Sequence, residues 1–93
     1  MRIEFTKSAR KHKIGKQRVR EVISTSTPTL FFEGGVSKLL WVGRDRRGLE
    51  LEILALEEGE VWLVIHVMPL NFRRRKVEEE MEGRREFYYR LWN

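Results

Sequence analysis

The sequence predicts an α+β domain: a mostly antiparallel sheet of four to five strands, with N-terminal helices packed on it and a C-terminal helix. Val19, Val22 and Ile23 recur at helical spacing, one apolar stripe among basic residues. Three apolar runs between residues 38 and 68 are separated by turns rich in Gly, Asp and Glu, which is the pattern of a meander. Beyond Pro69, Val77, Met81, Tyr88 and Leu91 fall near one helical face.

Each element follows from its residues. Residues 2–5 read as a strand, with Ile3 and Phe5 on one face and Arg2 and Glu4 on the other. Thr6 or Ser8 suits the cap of a first helix over residues 7–13, whose apolar content is only Ala9. Gly15 breaks the pattern, and a second helix follows over about 16–24. The hydroxyl-rich run 24–27 before Pro28 is a loop, because Pro28 disfavours helix at Thr27. Residues 29–32 and 38–42 read as a hairpin around Glu33-Gly34-Gly35. Residues 44–48 turn the chain, and 49–56 form the next strand, with Leu49, Leu51, Ile53 and Ala55 on one face. Residues 61–68 are almost continuously apolar, as expected of a central strand covered on both faces. The predicted core sets Val19, Val22 and Ile23 against Leu51, Ile53, Leu63, Ile65 and Val67.

The chain has 93 residues, room for one domain, 1–93, in which 84–93 reads as a C-terminal interaction extension. Its 41% hydrophobic content is too high for intrinsic disorder. Having no Cys, it can form no disulfide or thiolate zinc site and has no Cys nucleophile. No apolar run approaches the ~18 residues of a membrane span, and residues 1–5 lack the apolar core of a secretory signal. The expectation is a soluble, cytoplasmic protein. Its net charge of +5 is unevenly spread: residues 1–20 carry +7, 21–72 carry −4, and 73–93 carry +2. Two basic ends around an acidic middle suit a polyanion, nucleic acid above all.

Three clusters are candidates for chemistry. Arg10-Lys11-His12-Lys13 ends the first predicted helix, where cations also complement the helix dipole. With Lys7, Lys16 and Arg44 these basic residues are candidate nucleic-acid contacts. Neighbouring positive charge favours neutral His12, which suits it to act as a general base on an RNA 2′-hydroxyl; a solvated cap accounts for the same residues. His66 lies two residues before the end of its strand, on the alternation face of Trp62, Val64 and Met68, and is the second candidate for proton transfer. Arg73 and Arg74 follow, suited to stabilising negative charge at phosphorus. The third cluster interleaves arginines with Phe87, Tyr88, Tyr89 and Trp92, which suits base stacking, docking on a partner, or packing on the domain itself. Neither His has a partner at ligand spacing and no phosphate-cradling glycine motif occurs, so no metal and no cofactor is expected.

The order of these pieces resembles the BrnT family of bacterial toxins, within the RelE/ParE-like superfamily. The resemblance covers roughly residues 1–78. It rests on the strand at 2–5, the Lys11-His12 pair before Ile14, the helix holding Val19 and Ile23, the strand end Trp41-Val42-Gly43-Arg44, the turn with Asp45 and Gly48, and the last strand leading into an Arg-rich stretch. Lys13 stands where the family has Gly, Pro69 interrupts the final junction, and residues 84–93 extend beyond the family's usual end. The resemblance implies a metal-independent endoribonuclease, held in a hetero-oligomer by a cognate antitoxin, often of ribbon-helix-helix type. Lys11 and His12 match the family's Lys-His positions, Arg44 its strand-end Arg, and Arg73 and Arg74 approximately its terminal Arg cluster. A non-catalytic nucleic-acid-binding module and a protein-interaction module are the alternatives.

Overall fold

The computed structural model describes residues 1–71. β1 (Arg2–Phe5) is followed by a 3-10 turn (Ser8–Arg10), α1 (Lys16–Thr25), β2 (Thr29–Glu33), β3 (Val36–Arg44), β4 (Glu50–Glu58) and β5 (Val61–Pro69). The five strands form one sheet in the order β1-β5-β4-β3-β2. β2 to β5 are an antiparallel meander, and β1 joins its far edge parallel to β5, with Ile3 beside Trp62 and Phe5 beside Val64.

This overturns the α+β expectation. The described chain is mostly strand, its sheet is mixed rather than antiparallel, and among the described residues it has one α-helix. The helix expected over 7–13 shrinks to the three-residue 3-10 turn, because Ala9 is the one apolar side chain it buries and Lys13 turns the chain away with φ 56°. The parallel pair arises because the chain crosses from β1 through the turn and α1 before the meander brings β5 back beside it. The expected C-terminal helix lies outside the described residues.

α1 lies across β3 and β4. Its Val19, Val22 and Ile23 are buried against Leu39, Trp41, Leu51, Ile53, Ala55, Val64 and Val67. Leu63 and Ile65, predicted for this core, are only half-buried and give way to Val64. The cause is a bulge. Ala55 pairs with Val64 but Leu54 pairs with His66, so Ile65 is the extra residue and the alternation shifts there. Val64 and Val67, three apart, therefore both face α1, and His66 lies on the opposite sheet face from Trp62 and Val64.

Gly43 lets α1 approach β3. A Cβ there would sit 2.8 Å from Ser26 Oγ and 3.1 Å from Val22 Cγ1, closer than packed atoms stand. The helix ends at this contact, where the Ser26 amide bonds to the Val22 carbonyl at 3.0 Å.

Candidate nucleic-acid interface

The basic surface is built on β1 and β5. Thr6 Oγ1 accepts the Ala9 amide at 3.2 Å and donates to the Val64 carbonyl at 3.3 Å. Ser8 Oγ donates to the Ile65 carbonyl at 3.1 Å, so the 3-10 turn is tied down at the bulge. Ala9 points into the core, and Lys7, Arg10 and Lys11 are left in solvent. Lys13 then reverses the chain, Ile14 packs against the core, and Gly15 opens α1.

The apolar stripe of α1 faces the sheet, so its cations line the outer surface. Lys16 and Arg20, one turn apart, both lie over the Phe5 ring, 5.5 and 5.6 Å from its centroid. This cation–π arrangement holds two long side chains in place beside the turn without neutralising them. The structure adds Arg20 to the candidate contacts, and its spacing of four from Lys16 is the signal for it in the sequence. The first turn of α1 contains no acidic residue, so the positive end of the helix adds to the field of these side chains.

Pairing separates two classes of basic residue. Arg2, Arg18, Lys38, Arg44 and Arg46 each meet a carboxylate: Glu4, Asp45, Glu33, Glu50 and Glu21 respectively. Lys7, Arg10, Lys11, Lys13, Lys16 and Arg20 are all exposed, as is Arg47 at the β3–β4 corner, and among the described residues none of these seven is ion-paired. Of the residues predicted to bind nucleic acid, then, the structure gathers five on the turn and α1 and leaves Arg44 apart. Arg44 is 3.4 Å from Glu50 and lines an open groove of about 330 Å³ with Ser24, Thr25 and Arg46, but also with Glu21 and Asp45.

Asp45 was legible only as a turn residue. It is buried at the β3–β4 corner, where Oδ1 accepts the amides of Arg47 and Leu49 at 2.9 and 3.0 Å. Oδ2 accepts Arg18 Nε at 2.7 Å and also Nη2. Burial pushes its carboxyl upward, but the Arg18 guanidinium and the two amides outweigh that, and the carboxyl titrates below its ordinary 3.8. This fork fixes α1 to the sheet and orients the basic helix face.

The two histidines have different surroundings. His12 is half-buried in the turn between Lys11 and Lys13. His66 is on the sheet face turned away from α1, with Nε2 3.3 Å from Glu52 Oε2. Arg73, Arg74, Phe87, Tyr88, Tyr89 and Trp92 lie outside the described residues. Among the described residues no group of three His, Asp or Glu side chains converges as a metal site, and no helix is long and apolar enough to cross a membrane. Comparison with family models, with curated proteins and with solved structures returned no match.

Proposed function

We propose that the protein binds RNA through its basic turn–helix surface and acts on it as the toxin of a toxin–antitoxin pair in the cytoplasm. The observation that carries the binding is that six of the seven exposed cations without an ion pair among the described residues lie on the 3-10 turn, the Lys13 reversal and α1, the seventh being Arg47 at the β3–β4 corner. Unpaired Lys and Arg release counterions when phosphates replace them, whereas a cation already held by a carboxylate gains little. The toxin reading rests on the resemblance to the BrnT family, and the left-handed backbone at Lys13, where that family has Gly, supports it.

His12 is the residue best placed for cleavage. In that reaction neutral His12 takes the proton of a 2′-hydroxyl, the 2′-oxygen attacks phosphorus, and the 5′-oxygen leaves with a proton from a cationic donor. Lys11 and Lys13 beside it offset the charge that develops on the phosphoryl oxygens. A second reading, binding without cleavage, is favoured by the position of His66, which is engaged with Glu52 on the other sheet face and so leaves one histidine in the basic surface.

One experiment separates these. Purified protein is incubated with mixed-sequence RNA in chelator, and binding and chain cleavage are followed together. The toxin reading expects cleavage, growth arrest on expression, and a His12→Ala variant that binds but does not cut. Binding without cleavage establishes the second reading, and no binding at moderate salt sinks both.

A further inference from the structure

We propose that the β2 edge pairs antiparallel with the β2 edge of a second copy of this chain, joining two sheets across a two-fold axis. The two edges of the sheet differ. The β1 edge is four residues long and carries the Arg2–Glu4 ion pair at 3.2 Å, the usual protection against strand addition. The β2 edge has no charge from Thr29 to Phe32, and Leu30 and Phe32 stand 55% and 74% exposed on it. Natural edges seldom present such a strand uncovered.

The ladder shows which main-chain groups are available. Glu33 pairs with Val36 around Gly34-Gly35, whose φ angles of 60° and 74° mark a tight two-residue hairpin turn. The pair flanking such a turn is hydrogen-bonded, and bonding alternates along the strand. Thr29, Phe31 and Glu33 therefore direct their N–H and C=O groups to β3, while Leu30 and Phe32 direct theirs outward. Pro28, next in that outward series, has no N–H to leave open.

A two-fold axis through Phe31 satisfies all of these groups. Leu30 then exchanges both main-chain bonds with Phe32 of the second copy, and Phe32 with its Leu30, giving four bonds. The same register sets each exposed Leu side chain directly beside an exposed Phe, on the sheet side that carries α1. Glu33 comes opposite the Thr29 hydroxyl, so no like charges meet. The segment Thr-Leu-Phe-Phe-Glu is complementary to itself in this register, whereas the charged β1 edge offers it no match. Pairing of like with like closes after two chains and does not propagate into fibres.

The test is sedimentation equilibrium of the full chain up to about 100 μM, since a short interface is expected to bind in the micromolar range. Wild type is expected to reach a dimer. Phe32→Pro removes an outward N–H without touching the β3 ladder, and Phe32→Lys sets a cation where two copies meet. Both are expected to be monomeric at the same concentration, with the circular dichroism of wild type and, for Phe32→Lys, the unfolding midpoint that wild type shows at dilutions where it is itself monomeric. Because Phe32 is solvent-exposed, the Lys variant tests pairing even if the Pro variant unfolds. A monomeric wild type overturns the proposal, and so does a dimer that survives Phe32→Lys.

Discussion

At Lys13 the backbone and the side chain have opposed requirements. Its φ of 56° is the left-handed region, which costs an L-residue roughly 1 kcal/mol and costs glycine nothing. The lysine nevertheless stands in the basic surface, next to His12. We expect Lys13→Gly to raise stability by about 0.5–1 kcal/mol, read as a higher urea midpoint, and to weaken RNA binding. A strained residue retained at a binding surface is the usual form of such a trade. Loss of stability on this substitution would mean that the side chain, not the backbone, dominates here. The sequence showed Lys13 as a departure from a glycine position. It did not show the φ angle, because nothing local distinguishes a lysine held left-handed by the next element from one in a helix. His66 is the converse case. Simple alternation assigns it to the face of Trp62, and one extra residue at Ile65 reverses that. A bulge in an unbroken apolar run leaves no mark in composition.

Among the elements, the β3–β4 corner and α1 depend on one carboxylate. Asp45 closes its own turn through the Arg47 and Leu49 amides and holds Arg18 of α1 on the same side chain. Its folded pKa lies below the ordinary 3.8, so ionisation favours the folded state. That contribution is fully present above about pH 4, where the unfolded carboxyl is also ionised, and is lost as pH falls through the folded value. Thermal unfolding followed from pH 7 to pH 2 should therefore show a fall in midpoint below about pH 4. Asp45→Asn should lower the midpoint at pH 7 and flatten that fall, because Asn keeps part of the turn but cannot ionise. An unchanged acid limb in Asp45→Asn would place the acid sensitivity in other carboxylates. At this scale the strands and α1 were legible from period and turn chemistry. The fork was not, since Arg18 and Asp45 are 27 residues apart and only packing brings them together. The N-terminal helix failed for a related reason: its cap and basic residues fit a helix, but a helix with one apolar side chain to bury gains too little from the core.

For the whole molecule, the parallel β1–β5 pair decides where the charge goes. Local pattern identifies strands but not their partners, and the pairing of β1 with a strand as distant in sequence as β5 leaves no local trace. Because β1 lies there, the turn and α1 that follow it bring the basic residues between 7 and 20 together, while Glu33 and Glu50 of the meander pair with Lys38 and Arg44 and Asp45 takes Arg18 of α1. Formal charge by segment overstates the binding potential of Arg44 and Arg46, which are held by Glu50 and Glu21. The consequence is quantitative. If the six unpaired cations of the turn, the Lys13 reversal and α1 each neutralise a phosphate of single-stranded RNA, log K should fall with log salt at a slope of about −4. Lys11→Ala, or any other single removal from that set, should reduce the slope by about 0.7 and weaken binding similarly on all sequences. Arg44→Ala removes the same formal charge but one that is already compensated, so its slope should stay near that of wild type. Fluorescence titration of labelled RNA at several salt concentrations measures all three. Equal losses for Lys11→Ala and Arg44→Ala would show that Glu50 releases Arg44 on binding, and that the RNA path runs past the turn and α1 to the β3–β4 corner.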